Sequence, residues 1–197
     1  MFALILAGGP GSRLGMGEKP LVTIEGTPMI SSVIDAFCNA GCEAVVILSR
    51  KTPFTHAWCR ARGISHYTAS GEGYIEDIIE SVRILDITEP FFTSVSDLPF
   101  IEADLVHEIL GVYRECGKAA LSTWIPKSSA MKSGSTIPYV ECIGGIEACP
   151  AGVNILRGDQ IGEPQDEEKL LIDDLRLAYN INTREALGKA TLWKKRT

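Results

Sequence analysis

The chain of 197 residues carries 19 Lys+Arg against 25 Asp+Glu, a formal charge of −6, with 45% apolar side chains. A fold of this size buries roughly 70% of the surface its unfolded chain exposes, so its core needs no disulfide or metal staple. The negative balance argues against a general nucleic-acid or anionic-membrane surface, and any anionic ligand then requires a dedicated pocket.

Phe2–Leu6 is continuously apolar, the pattern of a strand covered on both faces in a parallel sheet. The apolar run ends at Ala7, too short for a signal segment, and no stretch approaches a membrane span, so a cytoplasmic chain is expected. After Pro20–Ile24, Thr27 caps a helix with Pro28 in its first turn that runs to about Gly41, and Glu43–Ser49 supplies the next strand. Thr55–Arg62 reads as a helix stopped by Gly63, Ile64–Tyr67 as a short strand, and Ser70–Gly73 as a turn. In the following helix Ile75, Ile78, Ile79, Val82 and Leu85 form one apolar stripe. Phe91–Val95 is a strand, Glu102–Cys116 a helix closed by Gly117, and Lys118–Ile125 a strand. Lys127–Gly152 breaks the pattern and reads as a loop or edge hairpin with one strand near Ile137–Cys142. Gly152–Leu156 is then a late strand, Glu167–Leu177 helix-like, Tyr179–Asn182 a short strand, and Thr183 caps a last helix. The alternation predicts a single-domain, Rossmann-like three-layer α/β sandwich with a mostly parallel central sheet and helices on both faces. Six cysteines without a Cys-x-x-Cys and three well-separated histidines argue against zinc and for reduced thiols.

The chemistry concentrates after the first strand, in Ala7-Gly8-Gly9-Pro10-Gly11-Ser12-Arg13, followed by Lys19-Pro20. Small residues let consecutive backbone N–H groups approach a polyphosphate, and Arg13 and Lys19 can neutralise its charge. A dinucleotide fingerprint fits less well, because Leu14 stands at its third glycine position. The Walker A pattern fails too: Glu18 precedes Lys19 and Pro20 follows it. A plain glycine-rich connector is the competing reading, but the loop lies at the carboxyl end of a strand, where open parallel sheets form ligand crevices.

Leu6–Leu14 with Lys19-Pro20 resembles the signature of molybdenum cofactor guanylyltransferase-type nucleotidyltransferases, L-A-G-G-x-G-S/T-R-L/M followed by K-P. Further blocks resemble the archaeal-type adenosylcobinamide-phosphate guanylyltransferases: Gly71–Asp77, Ser96-Asp97-Leu98, Ile125–Lys127, Pro150–Asn154, Leu171–Asp173 and Tyr179–Thr183. The Ser128–Cys149 stretch is less like that family. The resemblance implies nucleotide contacts from Leu6, Ala7, Gly8, Gly9, Gly11, Ser12, Arg13 and Lys19, and catalytic roles for Arg13, Lys19 and Asp97. Asp97 occupies the position of the family's metal aspartate, which would hold Mg²⁺; a turn cap before Pro99 competes. Asn180 and Asn182, two apart on the expected strand, face one side, so either can complete the metal shell, while a turn role for Asn182 competes. Gly71, Gly73, Glu76 and Asp77 fall where the family's base loop lies. A carboxylate can accept from both guanine N1–H and its amino group, although acids at a helix start also suit the helix dipole. Gly152 and Asn154 are expected near the nucleotide sugar or the second substrate, against the plainer role of a tight strand entry.

The implied activity is transfer of GMP from GTP to adenosylcobinamide phosphate, with a corrinoid phosphate as partner, a homodimer left open, and neither nucleic acid nor stable membrane insertion. No protein nucleophile or general base is required, because the incoming phosphate is ionised, and His56, His66 and His107 receive no catalytic role. Three alternatives stay open: molybdopterin as acceptor, a non-catalytic GTP-binding protein, and a nicotinamide-dependent oxidoreductase, the last disfavoured by Leu14.

Overall fold

The computed structural model describes residues 1–9, 11 and 14–196. Strand β1 (Phe2–Leu6) leads through the glycine loop and a 3₁₀ turn at Lys19–Leu21 to a small hairpin, β2 (Thr23–Ile24) and β3 (Thr27–Pro28). Then come α1 (Met29–Asn39), β4 (Glu43–Leu48), α2 (Pro53–Ala61), β5 (His66–Thr68), α3 (Tyr74–Ile84), β6 (Pro90–Val95), α4 (Ala103–Cys116) and β7 (Ala120–Pro126). The remainder is α5 (Lys127–Ser133), β8 (Glu141–Ile143), β9 (Ile146–Arg157), β10 (Glu167–Leu171), α6 (Leu175–Ala178) and α7 (Arg184–Lys194).

The main sheet has the order β10-β7-β9-β6-β1-β4-β5, with β8 paired to β9. Strands β6, β1, β4 and β5 are mutually parallel, as are β10 and β7, whereas β9 runs antiparallel between β6 and β7. One face is buried by α1, α2 and α4: Ile30, Val33, Phe37, Cys59, Leu105 and Ile109 pack with Ile5, Val46, Phe92 and Val153. An edge-to-face contact at 5.3 Å between Phe37 and Phe92 lies in that core, and truncating either ring to Ala would cost about 3–5 kcal/mol. The opposite face packs Leu4, Val45, Ile47 and Phe91 under Ile78 and Val82 of α3. Helices on both faces of a mostly parallel sheet match the architecture expected from the alternation.

A third cluster joins Leu14 and Met29 to Phe100, Tyr179, Ile181 and Ala186. It ties the end of the glycine loop to the segment after β6 and to the C-terminal helix.

Several elements differ from expectation. Pro28 is the N-cap of α1, and Thr27 is held in the β2–β3 hairpin instead of capping the helix. Ile75 lies 64% exposed, so the core-facing stripe of α3 begins at Ile78. Lys127–Ser133 is helical, ended by Gly134 in the left-handed region at φ 76°. Glu167–Leu171 is a parallel edge strand on β7, and helix begins only after Asp174, whose carboxylate caps α6 by accepting from Arg176 N–H at 2.8 Å. Its half-exposed Glu, Lys and Leu residues carry no buried-strand pattern, so β10 and an amphipathic helix look alike in sequence. Tyr179–Asn182 is irregular backbone, pinned by Ile181 N–H donating to the Asp97 carbonyl at 3.0 Å. Thr183 does cap the last helix, its hydroxyl accepting from Ala186 N–H at 3.1 Å.

Candidate functional site

Four adjacent parallel strands end at the same edge of the sheet. Their carboxyl ends run into Asp97 after β6, Gly8 after β1, Ser49 after β4 and Gly71 after β5, in that spatial order. A cleft of about 300 Å³ lies along this edge, lined by Leu6, Gly8, Gly9, Lys19, Lys51, Gly71, Gly73, Tyr74, Asp77 and Asp97, among others. Its position is the crevice that an open parallel sheet creates outside the carboxyl ends of its strands.

Ser49 explains two of the glycines. Its hydroxyl donates to the Gly8 carbonyl at 2.6 Å and accepts from Lys51 N–H at 3.1 Å. A Cβ on Gly8 would approach Ser49 Cβ to 3.2 Å, and one on Gly71, which sits at φ 77°, would approach it to 3.1 Å. Both turns therefore close on a small side chain, which leaves their main chains at the cleft wall.

The glycine loop folds back so that Gly11, at φ 66°, lies against Lys19; a Cβ there would stand 2.3 Å from Lys19 Cβ. Glu18 fixes the same stretch from outside, its carboxylate accepting from the N–H groups of Phe54 and Thr55 at 2.8 and 2.6 Å, at the start of α2. An anion at a helix N-terminus is a favourable anchor, and it leaves the neighbouring Lys19 facing inward. Ala7 continues the β1–β4 pairing through its N–H to the Ile47 carbonyl at 2.7 Å. The expected contributions of Ser12 and Arg13 lie outside the described residues.

Asp97 and Lys19 meet in the cleft. The ammonium of Lys19 is bonded to Asp97 Oδ2 and donates to Asn182 Oδ1 at 2.6 Å. Asn182 in turn donates through Nδ2 to Asn180 Oδ1. The two asparagines meet on irregular backbone, not on the expected strand, and form a relay to Lys19. Asp97 is 5% exposed, and among the described residues its buried Oδ1 has no hydrogen-bond partner. A buried unsatisfied oxygen costs about 1–3 kcal/mol, more when charged, so this atom is set for a cation or donor brought in by a ligand. No group of three or more His, Cys, Asp or Glu side chains suited to a metal occurs among the described residues. The single carboxylate fits a hard ion such as Mg²⁺ that takes most of its ligands from phosphate oxygens and water.

At the other end of the cleft, Asp77 Oδ1 accepts from Gly71 N–H at 2.9 Å, and Lys51 Nζ donates to the Gly71 carbonyl at 3.3 Å. Glu80 accepts from Ser70 N–H at 3.0 Å and from the Tyr67 hydroxyl at 2.6 Å; these bonds, led by that from the Ser70 hydroxyl, hold its carboxyl below the usual range. Asp77 therefore shapes the turn with one oxygen while lining the cleft. Glu76 does not line it: its carboxylate lies over Gly73, where a Cβ would meet Oε2 at 2.0 Å. Of the two acids expected to read guanine, Asp77 lines the cleft and Glu76 does not.

Gly152 and Asn154 stand one strand further along, on β9. Gly152, at φ 88°, packs against Val95, and a Cβ there would come within 2.8 Å of the Val95 side chain. Asn154 belongs to a neighbouring trough, where its Nδ2 donates to the Thr93 hydroxyl at 3.4 Å. Tyr74 divides cleft from trough and lines both. The residue is 46% exposed, yet burial raises its pKa, so the phenol stays neutral. Ser49, Lys51, Glu18 and Tyr74 were not singled out by sequence. Only Tyr74, inside the Gly71–Asp77 block, carried a signal that could have found it.

Residues 3–148 match the family model described as "MobA-like NTP transferase domain". Over 208 aligned residues the chain is 32% identical to the adenosylcobinamide-phosphate guanylyltransferase of Methanocaldococcus jannaschii, covering 100% of this chain and 98% of that protein. Among solved structures it resembles a hypothetical transferase from Thermus thermophilus (TM-score 0.71, 15% identity, 95% of this chain and 100% of the other). It also resembles the molybdopterin-guanine dinucleotide biosynthesis protein A of Archaeoglobus fulgidus (TM-score 0.68, 16% identity, 100% of both chains). These structural likenesses speak for the fold. No helix among the described residues is long and apolar enough to cross a membrane. By the family match and the end-to-end similarity together, the chain belongs to the MobA-like NTP transferases and is a nucleotidyltransferase.

Proposed function

We propose that the protein transfers GMP from GTP to adenosylcobinamide phosphate, yielding adenosylcobinamide-GDP and pyrophosphate. The similarity to the Methanocaldococcus jannaschii enzyme, which spans the whole chain, carries the choice of acceptor. Asp97, with Oδ2 bonded to Lys19 and Oδ1 without a partner among the described residues, supports a reaction that moves negative charge there.

In the reaction a phosphate oxygen of the acceptor bonds to the α-phosphorus of GTP as the bond from that phosphorus to the bridging oxygen of the leaving pyrophosphate breaks. The nucleophile is already an anion, so no side chain need remove a proton. The glycine turn at Gly8 and Gly9 lets the phosphates approach the main chain, and Lys19, with Arg13 of the same motif, offsets their charge. Asp97 would hold Mg²⁺ through Oδ1. When bound, the ion supplies Lewis-acid polarisation of the phosphates and a template for their alignment. Lys19, held at the cleft by Asn182, would offset charge on the phosphates. The Gly71–Asp77 turn holds the base at the far end of the cleft.

Purified protein incubated with GTP and Mg²⁺, and with adenosylcobinamide phosphate or molybdopterin in parallel, tests the reading. Adenosylcobinamide-GDP and stoichiometric pyrophosphate are expected with the corrinoid. Turnover with molybdopterin alone would move the acceptor, and GTP binding without turnover on either would make the protein a non-catalytic nucleotide binder.

A further inference from the structure

Lys51 lines the nucleotide cleft yet has no part in the transfer itself. It follows β4 in a turn, Ser49-Arg50-Lys51-Thr52, that closes on itself: Thr52 N–H donates to the Ser49 carbonyl at 3.1 Å, and Lys51 N–H to the Ser49 hydroxyl at 3.1 Å. Thr52 is fully buried, and its hydroxyl also donates to the Ser49 carbonyl at 3.1 Å. The main chain of the turn is thereby fixed while the lysine side chain stays exposed. Of the two neighbouring cations, Lys51 lines the cleft and Arg50 does not. The Lys51 ammonium donates to the Gly71 carbonyl at 3.3 Å, and among the described residues no carboxylate comes within ion-pair distance of it.

Gly71 is therefore held from two sides, its N–H by Asp77 Oδ1 at 2.9 Å and its carbonyl by Lys51. With both main-chain groups engaged, recognition at this end of the cleft falls to side chains. Asp77 Oδ2 meets no donor among the described residues, and an ammonium bonded to one carbonyl keeps two further N–H donors. An acceptor and a donor thus flank a single residue. Guanine offers the complementary pair on neighbouring atoms, because O6 accepts and N1–H donates beside the amino group; adenine offers the reverse, an amino group at C6 and a bare N1. Resting on the guanylyltransferase reading, in which this cleft holds GTP, we infer that Lys51 determines base specificity by donating to guanine O6 while Asp77 accepts from N1–H. Its place in the sheet separates it from the phosphates: Lys19 and Asp97 meet at the β6–β1 end, whereas Lys51 bridges β4 to the turn after β5. With adenine in the same position, donor would face donor at Lys51 and acceptor would face acceptor at Asp77, leaving both protein groups unpaired. The bond to Gly71 is long and the side chain exposed, so turning the ammonium onto a base costs little.

Titration calorimetry with Mg²⁺ and either GTP or 6-thio-GTP tests the assignment in the wild type, Lys51→Met and Lys51→Arg. In the analogue, sulfur replaces O6 and the other ring donors and acceptors stay in place. The wild type is expected to prefer GTP by about tenfold, because a thiocarbonyl is the weaker acceptor for a charged donor. In Lys51→Met that preference is expected to fall to about twofold or less, and in Lys51→Arg, which keeps a charged donor, to persist. A loss of affinity equal for both nucleotides in Lys51→Met, or a wild type that binds them alike, would overturn the inference and leave Lys51 as a support of the Gly71 turn or a contact to phosphate or ribose. The transfer reading is judged separately, by pyrophosphate release from GTP and adenosylcobinamide phosphate in the wild type. GTP binding without release would remove that reading, while the ratio of the two affinities would still decide the base contact. A wild type that fails to bind GTP would remove both.

Discussion

The two halves of the sheet are built on different plans. From β6 to β5 the strands are all parallel and helices cover both faces, so every strand delivers its carboxyl end to one edge. From β9 to β10 an antiparallel strand interrupts the order, and one face keeps half-buried polar residues. The first plan concentrates loop ends, which is what a charged, extended nucleotide requires. The second exposes a floor of side chains in place of converging loop ends. The Lys19 cluster joins the plans: Lys19 and Asp97 come from the parallel half, and Asn182, which accepts from Lys19, comes from the segment after the second.

The largest expected effect lies in the parallel half. Asp97→Asn should lower kcat by about three orders of magnitude, because the proposed metal ligand is lost. Asn preserves the shape but leaves the Lys19 ammonium a neutral acceptor, so a thermal midpoint lower by only about 2–4 °C is expected from calorimetry. Near-wild-type kcat would place the essential carboxylate elsewhere and erase the division.

Gly8→Asp adds bulk where Ser49 Cβ already lies 3.2 Å from the ideal Cβ position, and like charge against the phosphates. Titration calorimetry should show GTP affinity lowered by about 100-fold or more. Asn182→Ala then asks how far the other half reaches into the cleft. Losing one hydrogen bond to a charged group predicts a kcat lower by about tenfold, with GTP affinity little changed. A drop as deep as that of Asp97→Asn would make Asn182 a metal ligand after all.

The smallest effect is confined to the base turn. Hydrogen bonds hold the Glu80 carboxyl below its ordinary value, so the stability it gives the Ser70 turn is present above the unfolded pKa and is lost as pH falls through the folded one. Hydrogen exchange at the Ser70 amide should accelerate, beyond the intrinsic pH dependence, only in acid below about pH 4. Glu80→Gln should remove that acid step and leave the amide modestly less protected at neutral pH.

The same contrast explains what could be read from sequence. Phe2–Leu6, Glu43–Leu48 and Phe91–Val95 are buried on both faces and announce themselves as apolar runs, and glycines mark the turns that follow. Asp97 accordingly follows a strand end, whereas Lys19 lies in the 3₁₀ turn beyond the glycine loop. Beyond β7 the pattern carried less: β10 is a half-exposed edge strand whose composition suits a helix, and α5 is a short serine-rich helix whose Ala130 packs into the core. Ser49, Glu18 and Lys51 were hidden for another reason. Their work is to hold main-chain turns, which depends on strands being neighbours in space and leaves no spacing in the chain.

The most direct measurement is a crystal structure with GTP and Mn²⁺ in place of Mg²⁺, the ion located by its anomalous signal. The expected result has the phosphates along Gly8 and Gly9, the ion on Asp97 Oδ1, and the base at the Gly71–Asp77 turn. A triphosphate directed away from the glycine turn, or an ion bound without Asp97, would contradict it.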